Sequence, residues 1–194
     1  MKKNKTVFIG CSSRDAIAEE YKELSTRISA IFSEHNYSLA TGGASTGMMG
    51  KSYLVFHNNN QKVFAYTVDK YKEDLHNLKN SFNYIYQNTF DRTKSLYEKG
   101  DIIIFLPGGT GTIAELFACI EENRTTDKPK QIIIYNYNGF FDKVLELIYY
   151  CVTNKFNDES IYSFFTIIKS EEELRKMLKP DSKNKKIQIH WIML

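Results

Sequence analysis

The 194-residue sequence predicts a single doubly wound, Rossmann-like α/β domain, with a mostly parallel sheet and helices on both faces. Three observations carry that prediction. Short apolar runs alternate with segments of helical period from end to end, the grammar of repeated βαβ units. Several runs, such as Ile102 to Phe105 and Gln131 to Tyr135, are continuous rather than alternating, as in strands covered on both faces. Three of them end in glycine- or serine-rich turns that pass straight into a helical pattern. In such folds ligands bind outside the carboxyl ends of the strands.

Taken in order, Thr6 to Gly10 reads as the first strand and Asp15 to Glu34 as a helix, followed by a strand over Tyr37 to Thr41 and a helix beginning near Thr46. Lys62 to Thr67 is a further strand, Asp69 to Asn80 has no clear pattern, and Tyr84 to Gln87 is a short strand before a helix from about Phe90 to Lys99. Ile102 to Leu106 is the next strand, stopped by Pro107, which has no N–H to give to a ladder. A helix follows with Ile113, Leu116, Phe117 and Ile120 at i, i+3, i+4 and i+7, a stripe that leaves Glu115 off it and near the mouth of the turn. Gln131 to Tyr135 is a strand, Phe140 to Thr153 has helical spacing through Val144, Leu145 and Ile148, and Phe164 to Ile168 is a last short strand. Ser170 then opens a helix, with Glu173 completing a capping box.

Composition narrows the function classes. A hydrophobic fraction of 42% with 25% charged residues is that of a soluble globular protein. The net charge of +3 is small, and part of it sits in Met1 to Lys5 and Lys179 to Lys186, read as solvated tails rather than a nucleic-acid face. Three cysteines, Cys11, Cys119 and Cys151, form no C-x-x-C pair, which argues against a disulfide framework or structural zinc and is consistent with a reducing cytoplasm. His35, His57, His76 and His190 are scattered, so no metal site is expected. The apolar run after the basic N-terminus is too short for a signal peptide, and no segment approaches the roughly 20 apolar residues of a membrane span.

Chemistry is expected at three turns. Leu106 to Glu115, LPGGTGTIAE, takes a buried strand into a helix. Gly108, Gly109 and Gly111 would allow positive φ and close approach of a ligand, and Thr110 and Thr112 would add hydroxyls beside the free amides of the helix start, an anion-binding arrangement. The same residues also read as a T-x-x-E capping box of Thr112 with Glu115. Gly10 to Ser13, GCSS, offers the Ser12 and Ser13 hydroxyls either to a ligand or as a helix cap. Thr41 to Gly50, TGGASTGMMG, is either a second phosphate or ribose loop or a tight turn against the sheet. It lacks the Gly-Lys-Ser/Thr of a P-loop, and no turn carries Gly-x-Gly-x-x-Gly. Arg92 could reach the same crevice from its helix or pair at the surface with Asp91 or Glu98.

These segments resemble the LOG family, the cytokinin riboside 5'-monophosphate phosphoribohydrolases. PGGTGTIAE matches the family's P-G-G-x-G-T-x-x-E at every fixed position, TGGASTGMMG is similar to its second glycine loop, VFIGCSS to its first strand and turn, and Arg92 stands fifteen residues before Pro107 as the family's arginine does. The resemblance implies hydrolysis of the bond between base and ribose in a nucleoside 5'-monophosphate, AMP or an N6-substituted adenine nucleotide. It implies Glu115 and Arg92 as catalytic residues, with the phosphate on Gly108, Gly109, Thr110, Gly111 and Thr112. Gly42, Gly43, Ser45 and Gly47, with Ser12 or Ser13, would border ribose and phosphate. It further implies no metal or organic cofactor, and a homodimer with sites near the subunit boundary. Thr93 replaces the family's lysine, Phe90 its histidine, Ala44 a glycine and Met48 a leucine. The departures at Thr93 and Phe90 fall where the base is expected and keep a second reading open, a non-catalytic nucleotide-binding or sensing module. Lysine decarboxylation would need a pyridoxal-phosphate lysine with an acidic partner for the ring nitrogen, and no residue has that setting.

Overall fold

The computed structural model describes residues 4–75 and 79–179. Its centre is a seven-stranded sheet built from β1 (Thr6–Gly10), β2 (Ser38–Thr41), β3 (Val63–Val68), β4 (Ser81–Tyr86), β5 (Ile102–Phe105), β6 (Gln131–Tyr135) and β7 (Thr166–Ile168). The strands lie in the order β4-β3-β2-β1-β5-β6-β7, and every pairing is parallel. The chain runs outward from β1 to β4, then returns to place β5 against the free side of β1. That reversal opens a crevice at the carboxyl ends of β1 and β5.

Six helices cover the sheet: α1 (Glu19–Glu34), α2 (Gly47–Asn58), α3 (Thr89–Lys99), α4 (Thr110–Thr125), α5 (Asp142–Thr153) and α6 (Glu171–Leu178). One core layer joins Leu24, Ile28 and Phe32 of α1, Tyr53 and Phe56 of α2 and Leu174 of α6 to one sheet face; the other joins Leu96 of α3, Leu116 and Ile120 of α4 and Ile148 of α5 to the opposite face. Successive residues of β5 serve both layers, Ile104 the first and Ile103 and Phe105 the second. Hence the strand is apolar throughout.

Several boundaries differ from the sequence reading. α1 starts at Glu19, not Asp15, and no side chain caps it, so neither Ser12 nor Ser13 is a helix cap. α4 starts at Thr110 with Gly109 as its N-cap, which places Thr112 and Glu115 inside the helix, and the T-x-x-E box does not form. The box of Ser170 with Glu173 does. β4 spans Ser81–Tyr86, three residues earlier than expected; it is an edge strand exposed along most of its length, so burial imposes no pattern on it. The unpatterned stretch holds a 3₁₀ helix over Asp69–Asp74. Lys130 closes α3 from outside its sequence, donating from Nζ to the carbonyls of Tyr97, Glu98 and Gly100 at 2.6, 2.7 and 2.7 Å. Most of the basic segment ending at Lys186, with Met1 to Lys3, His76 and His190, lies outside the described residues.

Candidate active site

Backbone hydrogen bonds hold the three turns together at the crevice. The Ser12 N–H donates to the carbonyl of Pro107 at 3.2 Å, and the Met49 N–H donates to the carbonyl of Ser12 at 3.1 Å. The Thr46 hydroxyl donates to the carbonyl of Ser13 at 2.8 Å, and the Gly47 N–H to Asp15 Oδ1 at 3.4 Å. Gly47 has φ +62°, and a Cβ there would stand 2.7 Å from the backbone of Ser13 and Arg14. Only a glycine allows that approach. The turn residues expected to form a ligand crevice are therefore anchored to one another mainly through main chain.

The β5–α4 turn departs from expectation in one respect. Among its glycines none has positive φ; Gly109 sits at φ −78°. Gly108 is required for space, because a Cβ would overlap the side chain of Thr112, while a Cβ at Gly109 or Gly111 would meet nothing within 4 Å. No side chain caps α4. The amides of Thr110, Gly111 and Thr112 thus lack intrahelical acceptors, the arrangement that attracts an anion. Thr112 is 6% exposed, and its hydroxyl makes no hydrogen bond among the described residues.

Glu115 is a buried carboxyl at the crevice. It lies on the buried stripe of α4 with Thr112, Leu116, Cys119, Ile120 and Asn123, correcting the expectation that it lies off the apolar face. Ile113 and Phe117, counted in the predicted stripe, are only partly buried. Arg92, from the second turn of α3, donates from Nη2 to Glu115 Oε1 in an ion pair whose side chains are 16% and 10% exposed. It does not pair with Asp91, which the Asn88 side chain engages in capping α3. Burial pushes the Glu115 carboxyl above the usual carboxylate range, and the charge and hydrogen bond of Arg92 oppose that shift. The buried Nε of Arg92 has no partner among the described residues and is left to donate. Gly42 leaves room beside the pair, since a Cβ there would stand 3.3 Å from Arg92 Nη1; at Gly10 a Cβ would overlap the Phe105 ring at 2.5 Å and only touch Glu115 Oε2, at 3.6 Å.

Two clefts flank the first turn of α4. One, about 360 Å³, holds Arg92 and Glu115 and is bordered by Phe90, Thr93, Gly111 and Ala114. The other, about 290 Å³, is bordered by Ser12, Arg14, Tyr21, Gly108, Gly109 and Phe140. The structure thus brings Ser12, Gly108, Gly109, Gly111, Arg92 and Glu115 to the clefts, with Gly42 beside Arg92. Gly43 packs on Leu75 and Ala65, and Gly47 packs on the first turn. Ser45 is exposed and donates its N–H to the carbonyl of Asp74, and Ser13 is exposed, with its carbonyl taken by Thr46. Sequence reasoning missed Met49, whose Sδ accepts from the Ala44 N–H at 3.2 Å, and the aromatic walls Tyr21 and Phe140, because no local pattern marks contacts between distant segments.

A family model described as "possible lysine decarboxylase", the family of the LOG proteins, matches residues 36–178. The chain belongs to this family. Among curated LOG-family relatives, a probable cytokinin riboside 5'-monophosphate phosphoribohydrolase of Oryza sativa subsp. japonica is 23% identical, over 88% of this chain and 74% of its own length. A cytokinin riboside 5'-monophosphate phosphoribohydrolase of Arabidopsis thaliana is 24% identical, over 73% and 67%. In fold the chain is similar to a molybdenum cofactor binding protein from Rippkaea orientalis, with TM-score 0.65, 12% identity and coverage of 92% of this chain and 97% of that one. The Moco carrier protein of Chlamydomonas reinhardtii gives TM-score 0.66 at 11% identity, covering 91% and 98%. Among the described residues there is no group of three His, Cys, Asp or Glu side chains able to hold a metal ion, and no helix long and apolar enough to cross a membrane.

Proposed function

We infer that this LOG-family protein hydrolyses the N-glycosidic bond of a nucleoside 5'-monophosphate, AMP or an N6-substituted adenine nucleotide, releasing free base and ribose 5-phosphate. The observation that carries the reading is the buried Arg92–Glu115 pair beside an uncapped, glycine-rich helix start. The names of the curated relatives support it.

In this reading the 5'-phosphate rests on the amides of Thr110 to Thr112, with the hydroxyls of Thr110 and Thr112 beside it. Binding energy from the phosphate holds the anomeric carbon against Glu115, a little over one helical turn into α4. As the bond to the base lengthens, positive charge develops on the ribose, and the carboxylate stabilises it. Glu115 takes a proton from the attacking water; the water oxygen bonds to the anomeric carbon, and the bonding pair leaves with the base, which gains a proton from solvent. Arg92 opposes the effect of burial on the carboxyl and aims it, and its free Nε donates to the substrate. A guanidinium is a poor acid, so its part is positioning and charge. Phe90, 85% exposed on the rim of the Glu115 cleft, supports a homodimer whose boundary runs beside the site.

The test is incubation with a panel of nucleoside monophosphates, followed by chromatography for free base and ribose 5-phosphate. Base release by the wild type, lost in Glu115→Ala with AMP binding retained, is the expected result. Tight binding without release of base from any monophosphate would instead favour the non-catalytic module that Thr93 in place of lysine keeps open.

A further inference from the structure

The mechanism uses only one flank of the first turn of α4. The other flank carries the cleft of about 290 Å³; it shares Ser12, Gly108 and Gly109 with the expected phosphate site, and the mechanism gives no role to the rest of it, toward Arg14, Tyr21 and Phe140. Its volume is at the lower end of ligand sites, roughly 300–1,000 Å³, so it suits part of a ligand rather than a whole one.

Its walls come from four segments that are far apart in sequence. Tyr21 of α1, Met48 of α2 and Phe140, which precedes α5, form a largely apolar slot that opens onto Gly108 and Gly109. Phe140 is set in place from below: Asn136, 3% exposed, accepts from the Phe141 N–H at 2.8 Å and donates to Asp142 Oδ1 at 2.7 Å. Tyr21 is set by an edge-to-face contact with Tyr137, centroids 5.9 Å apart. Two polar groups stand where the slot meets the glycine turn. The Ser12 hydroxyl, on a residue 8% exposed, accepts from the Arg14 N–H and donates to nothing among the described residues. The Arg14 guanidinium is exposed and has no ion-pair partner among them.

We propose that this second cleft binds a flat or apolar group attached to the nucleotide through its phosphate, so that the site takes nucleoside 5'-diphosphate derivatives carrying a second ring. The inference rests on the phosphate position of the proposed function. With one phosphate on the α4 amides and the reacting nucleoside on the Glu115 flank, a second phosphate lies within the reach of Arg14, a rigid fork of donors matched to phosphate. The group beyond it stacks on Tyr21 and Phe140.

The experiment is calorimetric titration of the Glu115→Gln protein, which leaves ligands uncleaved, with AMP, ADP and P1,P2-di(adenosine-5') diphosphate. The dinucleotide is expected to bind at least tenfold more tightly than AMP, with ADP between them. Arg14→Ala should remove the gain of ADP over AMP, and Phe140→Ala the further gain of the dinucleotide; both residues sit at the surface side of the cleft, so folding is spared. A dinucleotide that binds no better than AMP, or a gain that survives both substitutions, overturns the proposal. Failure of the wild type to release base from any monophosphate, with the tenfold gain intact, defeats the hydrolase reading and leaves the second cleft standing.

Discussion

Replacing Arg92 by alanine should make stability strongly pH-dependent. In the wild type the only groups that lower the Glu115 carboxyl are the charge and the hydrogen bond of Arg92, set against burial that raises it. Without Arg92 the carboxyl rises further. A carboxyl whose folded pKa lies above its unfolded value contributes most stability when protonated, at low pH, and loses that contribution as pH rises through the folded value. The unfolded chains titrate alike, so the destabilisation of Arg92→Ala relative to wild type grows only above the wild type's own folded value, itself above the ordinary 4.5, and stops growing once the variant's carboxyl ionises. Leaving one member of a buried pair uncompensated costs about 3–5 kcal/mol. Each pH unit that separates the two folded values contributes up to about 1.4 kcal/mol, so a separation of about three units develops most of it. For a chain of this size, 3 kcal/mol lowers Tm by roughly 6–12 °C. The assay is urea unfolding at pH 5 and pH 8 of wild type, Arg92→Ala and Arg92→Ala/Glu115→Gln. The single variant should lose less than half as much at pH 5 as at pH 8, and the double variant should regain most of the loss at pH 8. Equal losses at both pH values, or no recovery in the double variant, would refute the assignment of Glu115 as a buried charge held by Arg92.

Other outcomes follow from separate features. Glu115→Gln should slow base release by about 10²–10⁴-fold, the range for loss of a general base, with the affinity for AMP changed by less than threefold, measured by chromatography and calorimetry. Gly47→Ala should cost about 1–3 kcal/mol in urea unfolding, since a φ of +62° is combined with a backbone contact that cannot move aside. Lys130→Met leaves the three carbonyls at the end of α3 without their donor and should cost about 2 kcal/mol, read as a Tm lower by roughly 4–8 °C with nucleotide binding unaffected. In the native protein a disulfide reagent should modify Cys151 only: Cys11 and Cys119 are buried, and burial, with the charge of Glu115, pushes their thiols up. Unfolding should expose all three.

The layered α/β fold was legible because strands covered on both faces leave continuous apolar runs, and β1, β5 and β6 each do. The edge strand β4, exposed over Phe82, Tyr84 and Ile85, left no such mark. The start of α6 was legible because a side chain caps it at Ser170, and that of α1, after an uncapped Ala18, was not. The start of α2 near Thr46 was legible from the glycine loop before it, although its first amide is held by Asp15 from another turn. At the site, glycine spacing pointed to the turn but misassigned the reason: Gly108 makes room for Thr112, and positive φ is found at Gly43 and Gly47 of the second loop. The pairing of Arg92 with Glu115 depends on the packing of α3 against α4, which no local pattern encodes. The aromatic slot of Tyr21 and Phe140 is likewise a product of topology alone.

The position of Glu115 on the buried stripe of α4 has an evolutionary consequence. A polar side chain on a loop can drift while the core stays fixed. Here the carboxylate shares its helix face with Leu116 and Ile120, and a single methyl group at Gly10 would stand 2.5 Å from the Phe105 ring and 3.6 Å from Glu115 Oε2. Packing and the placing of the Glu115 carboxylate are therefore inherited together. Diversification is left to the rims, at Phe90 and Thr93 on one flank and Arg14 and Phe140 on the other, where a new ligand can be selected without disturbing the carboxylate.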